Sequence, residues 1–221
     1  MTMKDYVMFL PGRYPTEHTE FYKELAEGKY KIAVDAGYKF FQKAEISPDI
    51  LIGDFDSLKK IPRDLPPQTK VKPFPQTKDK TDTELALEYC LQTGATRIDI
   101  VMPTIGEPDH FAANLLLLTL GAPSGRGSFR ADVRIVHPEY EISYVQNGKR
   151  EFVGAMGDTV SVIPLTNQII LSCAGTKYDC KHKMVKRGQT MATRNMIVEP
   201  AANFLISGQA LVFRTFRGGR E

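Results

Sequence analysis

Two short acidic clusters, Gly53-Asp54-Phe55-Asp56-Ser57 and Lys78-Asp79-Lys80-Thr81-Asp82, hold the residues of this chain best suited to chemistry. Carboxylates this crowded repel one another, and burying them unpaired is costly. Hard divalent cations take oxygen ligands, and magnesium binds through one or two carboxylates, several waters and substrate phosphates. If the fold joins the clusters, they form a magnesium site suited to nucleotide-dependent phosphoryl chemistry, where metal neutralises charge and the protein positions reactants. Lys78 and Lys80 would either neutralise the acids or contact phosphate oxygens. Asp82 also has a purely structural reading. Thr81-Asp82-Thr83-Glu84 fits a capping box, and an acid at a helix start is stabilising by about 0.3–1 kcal/mol without any ligand.

The elements that must carry these clusters follow from periodicity. Tyr6–Leu10, Tyr30–Val34, Ile50–Ile52, Ile98–Met102 and Val133–Val136 read as strands. Helices are expected over Glu17–Glu27, from the Thr81 cap through Leu91, and from Pro108 to near Gly121. Leu115–Leu118 on the last of these read as core, and Asn114 beside them needs a partner if buried. Strands alternating with helices imply a parallel sheet covered on both faces, with ligands beyond the carboxyl ends of the strands. The loops after Leu10, Val34, Ile52 and Met102 would share that rim. Asp109 and His110 are either helix-start residues or part of it.

After Pro138 the helical period disappears. Glu141–Val145, Asp158–Ile163, Ile169–Cys173 and Gln209–Phe216 alternate or run apolar between turn residues, as in an antiparallel sandwich or small barrel. The expected organisation is an α/β domain over 1–138, a β domain over 139–217 and a disordered tail over 218–221. The basic stretch Lys181–Arg187 reads as a solvated strand face.

Several classes are excluded or disfavoured. A net charge of +3 with dispersed basic residues supports no nucleic-acid or membrane surface. Runs such as Leu115–Leu118 fall far short of the roughly 20 apolar residues of a membrane span. Cys90, Cys173 and Cys180 form no Cys-x-x-Cys pair, which with no credible signal peptide at the start favours a reducing cytoplasm. Neither a P-loop, nor a Gly-x-Gly-x-x-Gly fingerprint, nor a Gly-x-Ser-x-Gly elbow occurs.

An ordered series of motifs resembles the thiamine pyrophosphokinase family. It comprises Asp35-Ala36-Gly37, Pro48-Asp49 through Gly53-Asp54-Phe55-Asp56-Ser57, and Lys78-Asp79-Lys80-Thr81-Asp82 with the helix that follows. It continues in Gly106-x-x-Asp109-His110-x-x-Ala113-Asn114, Gly175-Thr176-Lys177-Tyr178, Thr193-Arg194-Asn195 and Gly208-x-Ala210-Leu211-Val212. The resemblance implies a Rossmann-like α/β catalytic domain followed by a β-sandwich, working as a homodimer. The implied reaction is magnesium-dependent transfer of pyrophosphate from ATP to the hydroxyl of thiamine, releasing AMP. Asp54, Asp56, Asp79 and Asp82 would hold or orient magnesium and the triphosphate. Asp35, Gly37, Ser57, Asp109 and His110 would lie about the nucleotide, and Asn195 in the thiamine pocket. Lys78 is added from its charge as a phosphate contact. The chain departs from the family pattern twice: Ile105-Gly106-Glu107 stands for Gly-Gly-Arg, and Arg194-Asn195 for Ser-Asn. If position 107 faces phosphate, Arg13, Lys78 or Arg126 must compensate. Another primary alcohol such as a pterin, or a non-catalytic nucleotide or thiamine diphosphate sensor, are the alternatives these departures raise.

Overall fold

Val7-Met8-Phe9 and Ile50-Leu51-Ile52 are apolar at every position and buried throughout, which only strands covered on both faces can satisfy. In the computed structural model, which describes residues 4–56, 58, 61–122 and 131–220, they lie in a six-stranded parallel sheet. Its strands are β1 (Lys4–Phe9), β2 (Tyr30–Val34), β3 (Ile50–Gly53), β4 (Lys70–Pro73), β5 (Ala95–Val101) and β6 (Asp132–Val136). They stand in the order β6-β5-β1-β2-β3-β4, all pairs parallel. The chain builds outward from β1 to β4, then returns to place β5 on the other side of β1. Strand order therefore reverses between β1 and β5, the crevice where open α/β sheets bind ligands.

Helices α1 (Thr19–Ala26), α2 (Tyr38–Ala44), α3 (Asp82–Gln92) and α4 (Pro108–Leu117) complete this unit, which ends at His137. Phe21, Tyr22, Phe40 and Phe41 from α1 and α2 pack with Phe9 and Leu51 in one core, where Phe9 stacks on Phe40 at 4.5 Å between ring centroids. Inside the sheet, the fully buried Asp99 of β5 is met by Lys29 at 2.6 Å and Arg134 at 2.5 Å. Burial would raise its carboxyl, but these cations outweigh that and hold it below the usual range.

Three features differ from expectation. Helix α2 was not anticipated, because Tyr38-Lys39-Phe40-Phe41 is rich in aromatic residues that favour strands. Strand β4 carries one apolar residue, Val71, and its lysines and Pro73 suit a sheet edge. The leucine run is not uniformly core: Leu118 is buried, whereas Leu116 is 56 % exposed. Consecutive helical residues turn by about 100° each, so four in a row cannot all face the sheet.

The second unit, Pro138–Arg220, is antiparallel. It contains β7 (Tyr140–Val153), β8 (Thr159–Pro164), β9 (Gln168–Ala174), β10 (Cys180–Lys186), β11 (Asn195–Met196) and β12 (Ala201–Thr215). Strand β12 runs beside β7 over its whole length, while its other edge is shared. Residues 203–207 pair with β9 and residues 210–215 with β8. The change falls at Gly208 (φ +109°), whose N–H donates to the Asn147 side-chain oxygen of β7 at 2.7 Å. Gln146-Asn147-Gly148 looks like a turn, yet Asn147 (φ +47°) is an irregularity inside one long strand. Phe152, Val160, Val162, Phe204, Ile206 and Val212 form the core. Residues 218–220, expected to be disordered, are tied in by the Arg220 N–H, which donates to the Pro138 carbonyl at 2.7 Å. No helix among the described residues is long and apolar enough to cross a membrane.

Candidate active site

A cavity of about 560 Å³ opens at the carboxyl ends of the parallel strands. Leu10 and Pro11 after β1, Asp35 after β2, Asp54 after β3 and Met102 after β5 all line it. The four loops expected to share a rim do so, and the cavity lies at the strand-order reversal. Its volume is in the range of small-molecule sites.

Local backbone geometry explains why these residues converge. Asp35 enters a tight turn at φ +44°, and Phe55 takes φ +62°, conformations that non-glycine residues adopt only when their surroundings impose them. Phe55 is buried in the aromatic core, so the flanking Asp54 and Asp56 turn to the cavity. Gly37 is required by packing: a Cβ there would stand 2.0 Å from the Phe9 carbonyl oxygen. Asp54 Oδ1 accepts the Asp56 N–H at 3.2 Å, which fixes the loop.

The second cluster arrives through α3. Thr81 caps the helix, its Oγ1 accepting the Glu84 N–H at 3.2 Å, as the motif predicts. Asp82 is a first-turn acid and a cavity residue at once. Lys78 joins the two clusters directly: its ammonium donates to Asp54 Oδ2 at 2.6 Å and to Asp82 Oδ1 at 2.9 Å. The carboxylates respond in opposite directions. The Lys78 bond and the Asp56 N–H hold Asp54 below the ordinary range. Burial pushes Asp82 up, Lys78 pulls it back in part, and the nearby Asp54 and Asp35 charges add to the rise. Lys78 itself would be lowered by burial, yet its two carboxylate partners raise it.

Other candidates lie elsewhere. Asp79 is exposed and absent from the cavity wall. His110 lines the cavity with Glu107, their side chains 3.6 Å apart, whereas exposed Asp109 spends Oδ1 on the His110 N–H. Glu107 thus does face the cavity; Arg13 is exposed outside its wall, and Lys78 is bound to aspartates. Ser57 and Arg126 lie outside the described residues. Asn114 finds a weak acceptor in Met102 Sδ at 3.7 Å, also at the cavity. Thr83 and Thr104 line it too; the sequence marked Thr83 only as part of the capping box and carried no signal for Thr104.

Asn195 stands in the antiparallel unit, on a separate cavity of about 240 Å³. Its amide is committed to the loop 175–178. Its oxygen accepts the Tyr178 N–H at 3.0 Å, and its nitrogen donates to Thr176 Oγ1 and the Tyr178 carbonyl at 2.9 Å each. Arg194, exposed at φ +53°, donates its backbone N–H to Ser161 Oγ at 2.9 Å.

The acidic rim suits a divalent cation. Oxygens of Asp35, Asp54 and Asp56 lie within 4.8 Å of one another, and Asp35 Oδ1 is buried without a hydrogen-bond partner. An orphaned buried carboxylate oxygen is costly, and an all-oxygen donor set is the one magnesium prefers. The Lys78 ammonium already shows a cation seated against Asp54.

Fold and rim together define a class: an α/β unit with an acidic crevice at its strand-order reversal, followed by an antiparallel β unit. Residues 21–124 match the family model described as thiamin pyrophosphokinase, catalytic domain. A curated thiamine pyrophosphokinase of Bacillus subtilis is 26 % identical over 188 residues, covering 82 % of this chain and 84 % of that protein. The solved Bacillus subtilis thiamine pyrophosphokinase superposes with a TM-score of 0.79 at 24 % identity, covering 96 % of this chain and 99 % of that one. A thiamin pyrophosphokinase family protein from Enterococcus faecalis gives 0.75 at 26 % identity, covering 97 % and 99 %. Over most of its length the chain is similar to thiamine pyrophosphokinases.

Proposed function

We propose that this protein is a thiamine pyrophosphokinase, transferring pyrophosphate from ATP to the thiamine hydroxyl with magnesium. The observation that carries the reading is the convergence of Asp35, Asp54 and Asp56, one with an unpartnered buried oxygen, on a cavity at the strand-order reversal. The similarity to thiamine pyrophosphokinases over most of the chain supports the acceptor. Asp35, Asp54, Asp56 and Asp82 hold the metal–triphosphate pair, and Asp79 contributes charge from outside the wall. Bound magnesium would offset phosphate charge and favour in-line attack by the alcohol. The aspartates orient the polyphosphate, and one of them takes the hydroxyl proton. His110 contacts the nucleotide at the cavity mouth, with Asp109 fixing its backbone. The parallel unit is the catalytic domain and the antiparallel unit the thiamine-binding one. There Asn195 shapes the acceptor pocket by holding the loop 175–178, and two copies form a dimer in the cytoplasm.

Incubation with MgATP and thiamine should release AMP in proportion to thiamine. Folded protein giving no thiamine-dependent AMP would overturn the reading. Glu107 on the cavity wall favours one second reading, transfer to a different primary alcohol, because an anion there replaces the family's cation. A panel of alcohols assayed for AMP release separates the two.

A further inference from the structure

Lys78 holds the place of a cation. Its ammonium sits 2.6 Å from Asp54 and 2.9 Å from Asp82, with its side chain 13 % exposed and those of its partners 10 % and 20 %. Asp35, Asp54, Asp56 and Asp82 bring four negative charges to one cavity wall, and the Lys78 ammonium is bonded to two of them, Asp54 and Asp82. Two cations cannot share these oxygens closely without strong repulsion in a partly dry site. Lysine, unlike arginine, is a compact charge on a flexible four-carbon stem and can leave while its backbone stays.

We propose that Lys78 is a resident counter-cation which a divalent metal must displace from Asp54, so that metal alone binds weakly and metal with a polyphosphate binds well. This rests on the reading of the rim as a metal–nucleotide site. In the free protein Lys78 relieves the repulsion that would otherwise splay the two acidic loops. On loading, the metal takes over at Asp54, and the released ammonium finds new partners in the polyphosphate oxygens, beside helix α3. Metal and nucleotide therefore bind with positive coupling, and each strengthens the other by the same factor.

Two measurements without any alcohol test this. Calorimetric titration with MgCl2 alone compares wild type with Lys78→Met; the variant should bind magnesium about tenfold tighter or more. Equal or weaker binding by a folded variant, or no binding by either protein, overturns the proposal. Because removing the lysine leaves the acids unopposed, a second readout uses the intact chain. Acetylation of Lys78 by an N-hydroxysuccinimide ester, followed by mass spectrometry, should rise at least threefold on saturation with magnesium. It should fall again when a non-hydrolysable ATP analogue is added; Lys80 serves as the internal reference. Unchanged Lys78 labelling means a permanent structural salt bridge and also overturns it. Failure of thiamine as acceptor leaves both measurements untouched. Thiamine-dependent AMP release beside unchanged metal affinity would remove this proposal alone.

Discussion

Gly53 and Asp35 touch where neither can grow. A Cβ on Gly53 would lie 3.1 Å from Asp35 Cβ and 3.2 Å from its Cα, and Gly53 holds φ +154°. The end of β3 is thereby pressed against the turn that follows β2, and this places Asp54 beside Asp35. Gly53→Ala should cost about 1–2 kcal/mol in stability and lower turnover more than that loss explains. Urea denaturation and AMP release check both; unchanged turnover would show the contact is incidental.

Gly37→Ala meets harder resistance, since its Cβ would stand 2.0 Å from the backbone oxygen of Phe9. Backbone must move in the middle of the sheet, and a loss of about 3 kcal/mol or more is expected. Thermal unfolding of the variant against wild type measures it.

The two acidic clusters do not contribute equally. Asp56→Asn should reduce metal-dependent turnover by about 100-fold or more, the scale of removing a preorganised electrostatic partner. Asp79→Asn, exposed and outside the cavity wall, should stay within about threefold of wild type. Steady-state kinetics at saturating MgATP compares them. Equal defects would mean that the loop 78–82 moves Asp79 inward on binding.

Asp99 gives the α/β unit an acid-sensitive element. Its folded carboxyl titrates below its unfolded value near 3.9, so its contribution is complete above about pH 4 and is lost as pH falls through the depressed folded value. Asp99→Asn leaves Lys29 and Arg134 without their shared anion and should cost about 3 kcal/mol at pH 7. Stability curves from pH 2 to 7 should be flatter in the variant over that acid window.

Asn195→Ala removes three hydrogen bonds that hold the loop 175–178 and should destabilise by about 1–2 kcal/mol. If that loop shapes the acceptor pocket, KM for the alcohol rises while kcat at saturation is kept. A fall in kcat at constant KM would place Asn195 nearer the reacting atoms.

The parallel sheet was legible because buried strands need unbroken apolar runs, and Tyr30–Val34 coincides with β2 to the residue. Helix α2 was hidden by its own aromatic residues, which are chosen for packing on Phe9 rather than for helix propensity. Strand β7 was read too short, because Asn147-Gly148 is turn chemistry used inside a strand. At the site, the Asp-Phe-Asp spacing announced the acids, but which of them meet depends on tertiary contacts. No local pattern says that Lys78 will bridge Asp54 and Asp82, or that Asp35 will keep an oxygen free of partners.

Strand β12 bonds to β7, β8 and β9, and it follows all three in the chain. During synthesis the parallel strands β1–β6 are complete long before it emerges from the ribosome. The β unit cannot close its ladder until that last strand arrives. Until then, β7 and β9 present open edges, and a nascent chain stalled before Ala201 is the form most exposed to aggregation and proteolysis.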